Sequence, residues 1–456
     1  MGFYVYLTAA AAAIGGLLFG YDVGVISGVH VMPSFEQRFD TQGKALKVGF
    51  IVSSLVLGCF FGSFAASWLA DRFGRRTSIL IGGIVFTIGG ALQASSFGVG
   101  QLIAGRIIAG LAVGLLSMVV PLYQSELAPK DIRGTLVSMQ QLAITIGILI
   151  SFLFGWGWKL ESPTCHPMRG LVDPVHHHSV PPKIPRWLAS QGRTEEALQV
   201  LRKVGNKPDE EMEDINEALR LEKEMGNPTW RELFGPLLRR RVIIGLAIQA
   251  FQQLTGINAV MYYAPTIFKS AGLDGTNSAL IATAINGAVN VLFTIPAVLY
   301  VDRAGRRPLL LIGAGFMAIA MLIVGTLIAI YSPRNFDVIA AGYSSIAMIY
   351  LFVAFFAFTW GPIGWIYPSE IYPTRVRAKC MSLTTASNWT FNFIIGLVVP
   401  PLIESINWGV YVIFGACGVL MFIFVYFCVP ETKGKSLEQI DHMFGGRLNL
   451  DEKNGA

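Results

Sequence analysis

Apolar runs of about 20 residues recur along the whole of this chain, and no other feature restricts its fold so tightly. An α-helix rises about 1.5 Å per residue, so each run can cross the ~30 Å hydrocarbon core of a bilayer. No water is available there for backbone N–H and C=O groups, so continuous apolar runs of this length cross as helices. Eleven runs stand out, at residues 4–32, 48–69, 78–97, 102–123, 135–158, 242–268, 279–301, 309–330, 343–367, 381–403 and 409–429. Composition agrees: 53% of the residues are hydrophobic and 14% are charged, against about a quarter charged in soluble domains. The expected fold class is an all-α membrane protein, its solvent the lipid bilayer.

The net charge of +6 lies in short loops between the runs, which is a mark of membrane orientation and implies no nucleic-acid partner. Arg72, Arg75, Arg76, Lys130 and Arg133 follow the second and fourth runs, and Arg303, Arg306, Arg307, Arg375, Arg377 and Lys379 follow 279–301 and 343–367. The alternate loops hold only Arg38, Lys44, Lys47, Lys269 and Arg334. The richer set is assigned to the cytoplasm, and with it both termini. The five cysteines form no CxxC or metal spacing, so neither a disulfide framework, nor a metal site, nor a cofactor is implied. No cleavable leader and no myristoylation motif are expected.

Two loop motifs occur twice, in the same order. Asp71-Arg72-Phe73-Gly74-Arg75-Arg76 follows 48–69, and Asp302-Arg303-Ala304-Gly305-Arg306-Arg307 follows 279–301. Ser125-Glu126-Leu127-Ala128-Pro129, then Arg133, follows 102–123; Ser369-Glu370-Ile371-Tyr372-Pro373, then Arg377, follows 343–367. A single copy reads as a basic turn. Two copies in register read as two homologous halves, with a site at mid-membrane between them. The carboxylates and arginines are expected to bridge neighbouring helices on the cytoplasmic side and hold one state of a rocking cycle.

These residues resemble the sugar porter family of the major facilitator superfamily, over nearly the whole chain. The resemblance extends to 15-GGLLFGYD-22, Gly105-Arg106, 252-QQLTGIN-258, 360-WGPIGW-365 and 430-PETKG-434. The wording around 360–373 is most similar to fungal hexose transporters. The resemblance implies the major facilitator fold, two six-helix halves related by a pseudo-two-fold, and no enzymatic constellation of nucleophile and base is visible beside it. The expected domains are an N-terminal transmembrane half at 1–158, an aberrant segment plus cytoplasmic helical linker at 159–240, a C-terminal half at 241–430 and a cytoplasmic tail at 431–456.

The sixth helix is the exception. Orientation requires one crossing between 158 and Arg239, yet 159–183 holds Glu161, Arg169, Asp173, His176, His177, His178 and five prolines, with no apolar run. Of the family's ending of that helix only Pro185-Arg186-Trp187-Leu188 remains. The helix is read as missing or replaced through a local accident such as a misread exon, and the histidine triplet as its by-product, not as a metal site.

A pyranose offers a ring of hydroxyls and two C–H faces, so a site for it needs amides and an aromatic wall. Gln141, Gln252, Gln253, Asn258, Asn290 and Asn392 fall where the resemblance places sugar-binding amides, and Asn388 shares a helix face with Asn392. Trp365, beside a Gly-Pro break, is placed to stack on the sugar, and Tyr262 and Tyr263 to gate the outer side. Phe19 and Trp389 are read as packing residues. Asp22 and Arg106 lie inside apolar runs, where an unpaired charge costs about 2.5–3.5 kcal/mol. They are expected to pair, with Asp22 taking up and releasing a proton as the family's symporters do. The leading reading is a secondary transporter importing a hexose-type sugar with a proton, as a monomer in the plasma membrane. A facilitative uniporter, a sugar sensor and a non-functional paralogue remain open. A static ion pair would also explain Asp22.

Overall fold

The computed structural model describes residues 2–128, 132–161, 183–204, 208–226, 229–270, 276–331, 338–435 and 437–444. Its first part holds α1 (Gly2–Val29), the short α2 (Pro33–Phe39), α3 (Ala45–Phe73), α4 (Arg75–Ala94), α5 (Val99–Leu127) and α6 (Arg133–Glu161). Three helices follow outside the apolar runs: α7 (Pro185–Ser190), α8 (Thr194–Val204) and α9 (Pro208–Met225). The last part holds α10 (Arg239–Leu254), α11 (Ile257–Ser270), α12 (Thr276–Ala304), α13 (Arg306–Tyr331), α14 (Val338–Phe358), α15 (Trp360–Ile371), α16 (Arg377–Ile406), α17 (Gly409–Cys428) and α18 (Leu437–Met443). Among the described residues, 11 spans are long and apolar enough to cross a membrane, matching the eleven runs of the sequence one for one. The expected missing crossing lies largely outside the described residues, which omit 162–182 and with them the histidine triplet; α6 itself extends past the expected 158 to Glu161.

Two of the runs are each two helices. At 242–268 the break falls after Thr255, where Gly256 takes φ +88°, a conformation only glycine adopts cheaply. At 343–367 it falls at Thr359, whose φ −125° and ψ −81° are non-helical, just before Trp360-Gly361-Pro362. The second break was legible from its Gly-Pro pair. The first was not, because 242–268 contains no proline at the break.

The packing repeats between the halves. α1 packs on α6, as α10 packs on α16; α3 packs on α5, as α12 packs on α14; α4 packs on α5, as α13 packs on α14. Across the centre α3 meets α16 and α6 meets α12, which are equivalent contacts under a two-fold. α13 also packs on α17, whereas no comparable helix covers α4 among the described residues. The α1–α6 crossing is close enough for backbones to touch: a Cβ on Gly20 would lie 2.0 Å from the Ile144 carbonyl oxygen.

The four repeated motifs lie at one end of the bundle, here called the motif face. The α7–α9 helices dock there. Leu188, Ala197, Leu201 and Met212 form their small core. Trp187 packs over Gly74, and its indole N–H reaches the Asp71 carbonyl at 3.4 Å.

Candidate functional site

The helix breaks place the central amides. With α10 ending at Leu254 and α11 restarting at Ile257, Gln252, Gln253 and Asn258 face one interior cavity. Gln141 (α6), Asn290 (α12), Trp365 (α15) and Asn388 (α16) line the same space, and Phe19, Val23 and Met261 supply apolar wall. Seven of the eight residues expected to bind sugar are thus brought together. The eighth, Asn392, instead accepts a hydrogen bond from Tyr262 Oη at 3.0 Å.

The amides are cross-linked. Gln252 Nε2 donates to the Trp360 carbonyl (2.9 Å), exposed by the break before α15, and Asn388 Nδ2 donates to Gln252 Oε1 (2.7 Å). Gln253 Nε2 donates to Asn388 Oδ1 (3.0 Å), and Asn258 Nδ2 donates to Gln253 Oε1 (2.5 Å). Sequence reading missed Gln249, one turn before Gln252 and Gln253, which accepts from Asn388 and donates to the Gly364 carbonyl (2.7 Å). Its i−3/i−4 spacing from those residues was the available signal. Phe19, expected to be packing, also lines the cavity, edge-on to Trp389 with centroids 5.2 Å apart. The cavity measures about 50 Å³, far below the ~300–1,000 Å³ of ordinary ligand pockets. The site is narrowed by its own cross-linked amides.

One turn from Phe19 on α1, Asp22 meets Arg106 at 3.4 Å, both side chains buried. That distance is long for a charge-assisted hydrogen bond. Arg106 is anchored instead by the carbonyls of α3: Nε to Ile51 at 2.8 Å and Nη2 to Val52 at 3.1 Å. Among the described residues Asp22 Oδ2 has no hydrogen-bond partner. Gln93 of α4, likewise buried and unforeseen, lies alongside.

On the motif face several of the expected bridges are seen. Arg75 Nη2 reaches Glu126 at 2.9 Å, with Asp71 farther at 4.0 Å. Arg306 grips Glu370 with two bonds, 2.6 and 3.2 Å, and Asp302 at 2.8 Å. Asp302 Oδ2 also accepts from Thr135 N (2.8 Å) and Oγ1 (2.9 Å), joining α12 to α6 across the halves. Other residues of the motifs make further contacts. Arg72 stacks on Trp68 and Phe73 of its own helix, and Arg307 donates to the Tyr426 carbonyl. Arg377 donates to the Tyr372 carbonyl at 3.1 Å, closing its own turn, and Lys433 donates to the carbonyl of Arg303. Arg133 lines a second cavity beneath α7 and α9 with Glu126 and Arg377, and Arg76 is a half-buried first-turn residue of α4. Glu431, unassigned from sequence, caps the backbone N–H groups of Arg306 and Arg307 at 3.0 and 2.9 Å.

At the other end Tyr263 Oη donates to the Gly396 carbonyl at 2.5 Å, and the His30 ring stands edge-on to Tyr263 at 5.8 Å. This ties α11 to α16 and to the end of α1.

The sequence model of the Sugar (and other) transporter family matches residues 8–444. The chain belongs to the sugar transporter family. Among the relatives of this sugar transporter is the MFS glucose transporter mfs1 of Aspergillus flavus, 39% identical over 97% of this chain and 90% of that one. Among solved structures it resembles the proton:xylose symporter XylE bound to 6-bromo-6-deoxy-D-glucose, with TM-score 0.83 and 33% identity over 97% and 99% of the two chains. The inward open conformation of the xylose transporter XylE from E. coli is less alike: TM-score 0.72, 32% identity, over 96% and 99%.

Proposed function

We propose that this chain imports a hexose-type sugar together with a proton by alternating access. The observation that carries the reading is the placement of Asp22 on α1, between Phe19 and Val23, which both line the amide cavity. A proton taken up at Asp22 therefore acts on the same helix that walls the sugar site. The names of the proton:xylose symporter and of an arabinose-proton symporter of Bacillus subtilis support coupled transport over a uniporter, and the glucose transporter's name supports a hexose.

The roles follow from geometry. Gln141, Gln252, Gln253, Asn258, Asn290 and Asn388 exchange their mutual hydrogen bonds for sugar hydroxyls, and Trp365 covers a C–H face. Asn392 holds Tyr262, and Tyr263 seals the outer end through Gly396. When Asp22 is ionised it pairs with Arg106. When it is protonated that attraction is lost, yet Arg106 keeps its two carbonyl anchors on α3, so the charge change loosens α1 from α5 without freeing a guanidinium in the core. The Asp302–Thr135 contact, with Asp302 held in place by Arg306, joins the halves at the motif face and parts when the halves rock inward, while the Arg75–Glu126 and Arg306–Glu370 pairs brace the motif face within each half. The motif face and both termini are cytoplasmic, 1–158 and 241–430 are the moving halves, and the chain works as a monomer in the plasma membrane.

The test is radiolabelled hexose uptake in cells lacking their own transporters, at external pH 5 and pH 8. Faster uptake and accumulation at pH 5 supports the reading, and uptake indifferent to pH and to a protonophore refutes the coupling.

A further inference from the structure

One face of α12 carries a polar stripe. Thr283, Asn286, Asn290 and Thr294 follow at spacings of three, four and four residues, and all four are buried. The threonines are satisfied within their own helix, donating to the Ala279 and Asn290 carbonyls at 2.8 and 2.7 Å. The asparagines are not: among the described residues, Oδ1 of both Asn286 and Asn290 lacks a hydrogen-bond partner. Asn290 lines the central cavity. Asn286 stands one turn farther from the motif face, its Nδ2 3.7 Å from Sδ of Met261, and Met261 lines the cavity. A thioether is a weak acceptor. Buried amide oxygens without donors are uncommon enough in native proteins that each requires a reason.

We infer that Asn286 and Met261 form a subsite for the exocyclic hydroxymethyl group of a hexose, with Asn286 a specificity-determining residue. This rests on the sugar reading above. A hydroxymethyl group offers a CH2 and a hydroxyl donor, and this pair offers a complement to each. The thioether side chain packs against the CH2, and Asn286 Oδ1 accepts the hydroxyl proton. The ring hydroxyls are served one turn nearer the motif face, by Asn258, Asn290 and the α10 glutamines. A cavity of about 50 Å³ must widen to admit a pyranose, and Met261 is the unbranched, adaptable side chain in its wall. Its displacement uncovers Asn286. A pentopyranose brings no donor to that position and leaves Oδ1 unpartnered, so it is the poorer substrate.

The test compares D-glucose, 6-deoxy-D-glucose and D-xylose as substrates of the full chain in proteoliposomes, for wild type, Asn286→Leu and Asn286→Ser. Leucine keeps the volume and removes the acceptor. The expected result is a KM for glucose raised about tenfold, the loss of one neutral hydrogen bond, with 6-deoxyglucose and xylose little changed. If Asn286→Leu does not reach the membrane, Asn286→Ser carries the test, because its shorter oxygen cannot reach the hydroxyl and the preference for glucose over 6-deoxyglucose falls. A KM that rises equally for all three sugars, or for none, overturns the inference and makes Asn286 a packing or water-binding residue. A wild type that takes up none of the three overturns the sugar reading itself, a distinguishable failure.

Discussion

The two motif-face clusters are related by the internal repeat, and in each an arginine holds a buried carboxylate. Arg306 makes three bonds to two carboxylates, and its side chain and that of Glu370 are only 5% and 6% exposed. Arg306→Leu leaves Glu370 buried, with the Thr432 hydroxyl still donating to it, a loss of about 3–5 kcal/mol for a broken buried pair. Arg75 donates to Glu126, whose side chain is likewise 6% exposed, and to the Ala70 carbonyl, while Asp71 is 51% exposed and keeps water. Arg75→Leu also strands a buried carboxylate and should lose about the same 3–5 kcal/mol. Even the lower figure is roughly a hundredfold in an equilibrium constant. Thermal unfolding of the purified chain in detergent should place both variants well below the wild type. Adding Glu370→Leu to the first or Glu126→Leu to the second should restore part of the loss, since the buried charge goes with it. A loss below about 1 kcal/mol for either arginine, the size of an exposed pair, or a further loss on adding the matching acid-to-leucine change, would refute the reasoning.

Asp22→Asn keeps an oxygen facing Arg106 but cannot change charge. It should abolish gradient-driven accumulation while equilibrium sugar exchange across the membrane persists, which counterflow measures directly. Gly20→Val should lose at least 1–3 kcal/mol by forcing α1 and α6 apart, whereas Gly83→Ala, whose Cβ meets nothing within 4 Å, should leave thermal stability unchanged or gain roughly 0.5–1 kcal/mol. In a background without the exposed Cys428, a membrane-impermeant thiol reagent should label Phe97→Cys from outside intact cells. It should reach Lys203→Cys only after permeabilisation, since Phe97 and the α8 helix lie at opposite ends of the bundle.

The spans were legible because hydrocarbon admits only uncharged runs of one length, and the doubled motifs fixed the symmetry. Side-chain partners were less legible. The sequence pointed to Asp22 and Arg106 as a pair but not to the carbonyls of Ile51 and Val52, because main-chain acceptors leave no mark in a residue pattern. It grouped Arg72 and Arg307 with Arg75 and Arg306, since composition cannot tell the arginine turned inward from its neighbour lying on a ring or a helix end. Gln249 and Asn286 sat at helical spacing from chosen amides and were passed over. The break at Gly256 was hidden because glycine is common in membrane helices and its positive φ is a property of the folded chain.

The most direct test of proton-coupled import is sugar accumulation in proteoliposomes under an imposed inward proton gradient. The account predicts uphill accumulation of glucose that collapses on adding a protonophore and is absent in Asp22→Asn. Uptake that only equilibrates, at a rate unaffected by the gradient in both proteins, would contradict it.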